Sequence, residues 1–310
     1  MVRLSALGTC SALSACALLL GSCGGGGSGS TSMSTLNLGL TDASVSGVSN
    51  VWIRFTGVEV KPAGGNPIDF TFSPAKNFDL LTLQGGTTAT FLNGATIPAG
   101  QYEWVRLMVD TSAGASFVML SSGQQHDLTI PSGAETGLKL IHGFTMPVGG
   151  TASFTVDFVL SKSLIAPQGL SPDYLLKPVL RLVDNAQVGT ISGTFQATTL
   201  STQPHCSSTQ PPVVYVYTGG SVTPDDIYNS PDTTDPASAA QPLTTATAAL
   251  NSMNDYAYSI AFLPSGTYTV AFTCDPDDPA ADESATPGLI QFATPQAVTV
   301  TANMTTTVNF

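Results

Sequence analysis

Few side chains in this 310-residue chain are of the types that do chemistry, and they are unevenly placed. There are five cysteines and three histidines, the latter at His126, His142 and His205. Cys23 stands after Leu20, Gly21 and Ser22 and before four consecutive glycines. It is a thiol at the junction of an apolar run and a flexible one, a place where a chain can be cut and tethered. Cys10 and Cys16 lie inside the apolar run. That leaves Cys206 and Cys274, an even pair that an exported protein most simply joins as a disulfide. His205 beside Cys206 makes a metal site the competing reading, but two cysteines and one histidine lack the spacing of a zinc motif. Asp275, Asp277, Asp278, Asp282 and Glu283 supply the oxygen ligands calcium takes. Pro276 and Pro279 interrupt them and no EF-hand spacing is present, so a solvated acidic loop is the other reading.

A second group is dispersed along the first half. Asp42, Arg106, Asp157 and Lys177 all sit in or beside apolar runs. Charges placed there either pair for structural reasons, Asp110 being a further partner, or together line a polar ligand site. His126 beside Asp127, or His142, would be the base of a serine nucleophile, but no Gly-x-Ser-x-Gly elbow accompanies them. Trp52 and Trp104 are candidates for stacking on sugar rings or for core positions. Carboxylate pairs for glycoside cleavage are defined by three-dimensional spacing and cannot be read along the chain. No phosphate loop or dinucleotide fingerprint occurs. No cofactor is implied.

The elements that would position these residues are strands. Arg3 and the uncharged run Leu4–Leu20 have the shape of a secretory signal, too short for a membrane span of about 20 apolar residues. Residues 1–22 are read as that signal and 23–34 as a Gly/Ser-rich tether with an r.m.s. reach of roughly 17–20 Å. Beyond it the apolar period is two. Leu36, Leu38 and Leu40 alternate; Val51, Ile53 and Phe55 recur, then Val58 and Val60; Phe154, Val156, Phe158 and Leu160 share a face. Only Asn77–Gln84 suggests a short helical turn. A second β region follows. Val213–Tyr217 reads as a buried strand, and Tyr256–Phe262 and Thr267–Phe272 as a hairpin turning at Leu263–Gly266. Gly219–Asn254 reads as a long surface loop, and Ala297–Phe310 as two short strands around Ala302–Asn303. The fold class is all-β: two mostly antiparallel sandwich or barrel domains, 35–186 and 187–310.

Charge supports that boundary. All nine Lys and Arg residues lie at or before Arg181, so the part from Val188 on is −10, while Cys23–Gln187 is −3. Such a chain offers no phosphate-neutralising face to nucleic acid and no basic grip on anionic lipid.

Leu20-Gly21-Ser22-Cys23 resembles the lipobox of bacterial lipoproteins. The resemblance implies a diacylglyceryl group on Cys23, cleavage before it, acylation of the new amine and, with Gly24 following, export to the outer membrane. The alternative is an ordinary signal cut near Ala15 or Ser22. Several phrases resemble one lipoprotein family, domain of unknown function 4382, over about Leu36–Val183. They are Leu40-Thr41-Asp42-Ala43, Val58-Glu59-Val60, Ile97-Pro98-Ala99-Gly100-Gln101-Tyr102, Leu128–Gly133, Gly137–Leu140, Val156-Asp157-Phe158 and Tyr174–Arg181. Ser44 departs from the proline expected after Thr-Asp-Ala. That family carries no established activity to transfer. Tyr258–Val270 resembles the carboxypeptidase-regulatory-like, or prealbumin-like, β-sandwich, a small module without catalysis.

These readings together imply a non-enzymatic binding or structural lipoprotein of the cell envelope, held to the bilayer by acylated Cys23. Its partner would be an envelope polymer or protein, not nucleic acid. The alternatives are a carbohydrate- or calcium-dependent adhesion protein and a hydrolase acting on envelope polymers.

Overall fold

The alternation of Leu36, Leu38 and Leu40 with smaller or polar residues builds the first strand, whose leucines are all buried. The computed structural model describes residues 31–43, 45, 47–131, 133, 137–167, 171–203, 206, 211–225, 227, 240–274 and 290–310. Thirteen strands precede residue 187: β1 (Met33–Asp42), β2 (Val48–Pro62), β3 (Ile68–Asp79), β4 (Ala89–Pro98), β5 (Gly100–Val109), β6 (Phe117–Leu120), β7 (Gln125–Thr129), β8 (Leu138–Leu140), β9 (Phe144–Met146), β10 (Thr151–Phe158), β11 (Leu164–Ile165), β12 (Tyr174–Leu176) and β13 (Leu180–Asp184). Eight follow: β14 (Val188–Thr194), β15 (Val213–Thr218), β16 (Thr244–Thr247), β17 (Ala249–Leu250), β18 (Tyr256–Pro264), β19 (Gly266–Thr273), β20 (Gln296–Val300) and β21 (Thr305–Thr307).

The first thirteen form two open sheets, ordered β13-β10-β1-β4 and β11-β12-β7-β6-β2-β5-β8, with β3 added on β2 and β9 on β5. They face each other across one core. Phe55 on β2 spans it, edge-on to Phe91 of β4 at 4.9 Å and to Phe158 of β10 at 6.3 Å. The burial parity of β2 changes from odd to even between Phe55 and Val58 because a bulge shifts the register there. Gly57 sits at the bulge, where a Cβ would lie 2.5 Å from the Phe70 carbonyl oxygen. The helical turn expected near Asn77–Gln84 is a single 3-10 turn, Leu80–Leu83, capped by Asp79.

The later strands form a second sandwich, β17-β18-β14-β21 on β16-β15-β19-β20. Its core is Ile191, Val214, Val216, Tyr258, Ile260, Val270, Phe272 and Phe310. Tyr215, Tyr217 and Ile227 are buried on the opposite face of β15, which accounts for its unbroken apolar run. No strand is shared between the two sheet pairs. Both belong to one compact body, Ser32–Phe310. None of the four sheets closes into a barrel, and most pairings are antiparallel, with parallel exceptions at β1–β10, β7–β12 and β14–β21.

Three expectations are corrected. The tether does not reach Ser34: β1 begins at Met33, and Ser34 is buried with its hydroxyl donating to the Pro147 carbonyl. The span Gly219–Asn254 is not all loop, since β16 and β17 lie within it. Three threonines and one alanine form β16 because β-branched threonine suits a strand and small residues suffice against a crowded core. The hairpin at Leu263–Gly266 is a crossing between sheets: β18 pairs with β14 and β17, whereas β19 pairs with β15 and β20. Both strands turn their apolar faces into the same core from opposite sides, and Tyr268 braces the corner by donating to the Pro264 carbonyl at 2.6 Å.

Candidate functional site

Of the four charges Asp42, Arg106, Asp157 and Lys177, only Asp42 and Asp157 come together. Arg106 on β5 lies directly opposite Glu59 on β2 and forms an ion pair with it. Lys139 follows in the same row on β8 and lies over the Trp104 ring at 4.3 Å. Trp104 is thus on the outer face of the larger sheet and is covered by cations. Lys177 is exposed, and its backbone N–H donates to the Ser163 carbonyl at 2.8 Å. Asp110 is taken by Arg54 at 3.3 Å. Asp42, Arg106, Asp157 and Lys177 therefore do not line one site, and Arg106 pairs with Glu59 and not with Asp42, Asp110 or Asp157, because its direct cross-strand neighbour claims it first.

Asp42 and Asp157 do come together. Their strands run parallel, with Thr41 opposite Asp157 and Asp42 opposite Phe158. Asp157 is 3% exposed and accepts from Arg181, its direct cross-strand partner on β13. Even so, burial outweighs that guanidinium and holds the Asp157 carboxyl above the usual range. Asp42 is 6% exposed. Its Oδ1 accepts from the Leu160 N–H at 3.3 Å, and its Oδ2 has no hydrogen-bond partner among the described residues. Burial first, and the neighbouring Asp157 second, push its pKa well above that of an ordinary carboxylate. Asp79 shows the contrast: it is equally buried but accepts from the Val51 N–H at 3.1 Å, the Leu81 N–H at 3.3 Å and the Asn50 amide at 2.6 Å.

Both carboxyls line an open cleft of about 460 Å³ where the two sandwiches meet. One wall is Thr41, Asp42, Ala43, Asp157 and the turn Gln84–Gly86; the other is the Thr244–Thr247 strand, Leu250, Asn251 and Ala257–Phe262. β16 is a sheet edge. Phe262 has a positive φ of 58°, a conformation that costs a bulky residue energy, and it sits where the β14–β18 register slips. Gly86 has φ 91° and packs so near that a Cβ would stand 3.1 Å from the Ala261 methyl. Tyr258 is anchored by donating to the Val308 carbonyl at 2.7 Å, and burial pushes its pKa up. Leu250 is 54% exposed, so one side of the cleft presents an apolar residue beside the two carboxyls.

Cys206 and Cys274 form a disulfide with Cα atoms 4.8 Å apart. His126 is engaged with the Pro172 carbonyl at 2.8 Å and the Tyr174 ring, a structural position. Cys23, His205 and the calcium candidates Asp275, Asp277, Asp278, Asp282 and Glu283 lie outside the described residues. Among the described residues no three His, Cys, Asp or Glu side chains form a metal cluster, and no helix is long and apolar enough to cross a membrane. Sequence reasoning missed Arg181, the β16 wall and Phe262. Arg181 stands in an apolar run as Arg106 does, but only the strand register says which carboxylate it meets.

Residues 33–178 match the family described as domain of unknown function (DUF4382). No curated protein matches the chain in sequence. Among solved structures it is similar to a leucine-rich repeat protein from Bacteroides thetaiotaomicron, with 10% identity and a TM-score of 0.24, covering 90% of this chain but 26% of that one. It is also similar to the minor pilin of Streptococcus agalactiae, with 11% identity and a TM-score of 0.20 over 88% of this chain and 94% of that one. A candidate cell adhesion protein from Parabacteroides distasonis shows 10% identity and a TM-score of 0.22, covering 86% and 83%.

Proposed function

We propose that this protein is a lipid-anchored module of the cell envelope that binds its ligand without transforming it, and that the cleft between the sandwiches is the binding surface. One observation carries the binding reading. Asp42 is a buried carboxyl in the lining of an open cleft, its Oδ2 enclosed and without a hydrogen-bond partner, and leaving such a group unpaired costs stability. A neutral side chain of the same size would avoid that cost. A functional demand on the cleft accounts for an acid there.

The anchoring reading rests on the signal-like run ending in Leu20-Gly21-Ser22-Cys23 and on the Gly/Ser stretch behind it. The thiol of Cys23 would carry lipid, and Gly24 would direct export to the outer membrane. Several acyl chains together hold a protein firmly where one holds it marginally. In this reading the sandwiches are two domains meeting near residue 187, spaced from the bilayer by the tether. Cys23→Ser is expected to release the protein from the membrane fraction and to abolish labelling by radioactive palmitate; a labelled, membrane-bound variant refutes the anchor. For the binding half, Gln84→Trp places a large ring in the cleft from a partly exposed turn. It is expected to abolish capture on envelope-glycan and peptide arrays. Capture undiminished by this variant refutes the cleft as the surface.

A further inference from the structure

We infer that the end of the body at which β1 begins rests against the phospholipid bilayer, with the side chains of Met33, Val148 and Met304 dipping into its interface. This inference rests on the anchor at Cys23 and names the surface that the anchor brings to the membrane. Strand register gathers this end. Met33 lies opposite Pro98, and its carbonyl accepts from the Gly149 N–H at 3.2 Å. Gly100 lies opposite Met146, and Pro62 opposite Tyr102, which brings the β2–β3 turn to the same end. β13 runs back towards it with Asp184 opposite Phe154, and Ala186 lines one hollow with Pro147. The Asn303 amide donates to the Ala186 carbonyl at 3.2 Å, so the β20–β21 turn joins from the second sandwich. Val148 is 78% exposed, Met304 59% and Met33 45%.

Charge and chain length point to lipid as what covers these side chains. The turns 62–67, 98–101, 147–150, 185–187 and 301–304 hold no Asp, Glu, Lys or Arg, in a chain of net charge −12. Two charges flank them. The Lys61 ammonium donates to the Gly65 carbonyl at 2.6 Å and lies 3.8 Å from Glu103, and Asp184 accepts from the Ala186 N–H at 2.9 Å. The opposite end, beyond β5, instead carries Asp110, Asp127 and Asp173 around one hollow. Ten residues lead from Cys23 to Met33 and span at most about 33–36 Å. β1 alone carries the chain about 33 Å to the other end, so an acylated Cys23 keeps the uncharged end nearest the lipid. Three side chains would not hold a free protein to a bilayer, but tethering makes the contact intramolecular and raises its effective concentration. The turns stay at headgroup level, where water satisfies their carbonyls, and only the side-chain tips go deeper. Asp42 and the cleft, at the other end of β1, then face away from the membrane.

The test uses the full lipidated chain in phosphatidylcholine vesicles that carry a nitroxide on the lipid acyl chain. A bimane is placed on Asn66→Cys, an exposed turn position at this end, or on Met253→Cys, an exposed position between β17 and β18. β18 runs from Tyr256 to Pro264, which lies opposite Val188, so Met253 is at the other end of the second sandwich. The Asn66 label is expected to lose emission to the nitroxide and the Met253 label to keep it. Val148→Glu with Met304→Glu is expected to restore the Asn66 emission while the protein still floats with the vesicles, because a carboxylate resists leaving water and the acyl anchor does not depend on these positions. Both side chains are exposed, so the variant should melt as wild type does. Quenching that persists in the double variant reduces the effect to tethering and overturns the inference. An unquenched Asn66 label on protein that floats also overturns it and leaves the anchor standing. Loss of emission that follows protein density and not nitroxide content assigns this end to a second copy, and overturns it as well. Protein that neither floats nor incorporates palmitate overturns the anchor, and the inference with it.

Discussion

Removing the Cys206–Cys274 bridge by the double substitution Cys206→Ala and Cys274→Ala should destabilise the second sandwich by an amount set mainly by chain length. The bridge closes a sequence separation of 68 residues. On the chain-entropy account a loop of that size restricts the unfolded ensemble by about 4 kcal/mol. Cys274 is 2% exposed at the end of β19 and packs into the core around Phe272, so losing its sulfur adds a smaller packing loss. The Cα separation of 4.8 Å lies within the ordinary range for a bridge, so the native state has little to gain from its release. The assay is urea unfolding followed by far-ultraviolet circular dichroism, wild type against the double variant, with reduced wild type as a third sample. The transition midpoint should fall in the variant and in the reduced protein alike. The slope should rise, because a chain without the cross-link exposes more surface when unfolded. A midpoint unchanged by either treatment would refute the loop-entropy reasoning. Two free thiols from this pair in the denatured, unreduced protein would refute the bridge itself.

Three further outcomes follow from the cores and the cleft. Burial holds the folded pKa of Asp42 above its unfolded value, so its contribution to stability is complete below the unfolded pKa and is lost as pH rises towards the folded one. Asp42→Asn should therefore melt higher than wild type at about pH 7 and equally at about pH 3; a variant less stable at neutral pH contradicts the assignment. Phe55→Ala removes a fully buried ring that meets Phe91, Phe78 and Phe158, and should cost about 3–5 kcal/mol in chemical denaturation, with Phe55→Leu clearly milder. Gly193→Ala would drive a methyl into the Val308 carbonyl and should cost about 1–3 kcal/mol. Faster amide exchange at Val308 and Phe310, whose N–H groups donate to Ser192 and Thr194, is the local readout, and unchanged protection there excludes the clash.

Much of the fold was legible because a strand repeats every two residues whatever packs against it. Leu36, Leu38 and Leu40 point into the core as their alternation requires, while the bulge at Gly57 that joins Val51–Phe55 to Val58–Val60 in one strand came only from the pairing register. The unbroken run Val213–Tyr217 read as a buried strand, and the structure buries both of its faces. Pairing was less legible. Tyr256–Phe262 and Thr267–Phe272 have the alternation of a hairpin and equally that of two strands facing each other across a core. Only the far partners, β14 and β15, decide between these.

The chain by itself determined the all-β class, the separation of its charge, the cysteines available for pairing and the signal-like start, because each depends on local composition or on a period carried within one segment. It also showed that Asp42, Arg106, Asp157 and Lys177 were charges out of place among apolar residues. Which carboxylate each cation meets was decided only by tertiary structure. Register puts Arg106 against Glu59 and Arg181 against Asp157, and these contacts join positions 47 and 24 residues apart. The meeting of β1 with β10 and with the turn at Leu160 then buries Asp42 beside a cleft with one acceptor unmet. An ionisable group takes its character from what excludes water around it, and here that surrounding includes Leu160, 118 residues on in the chain.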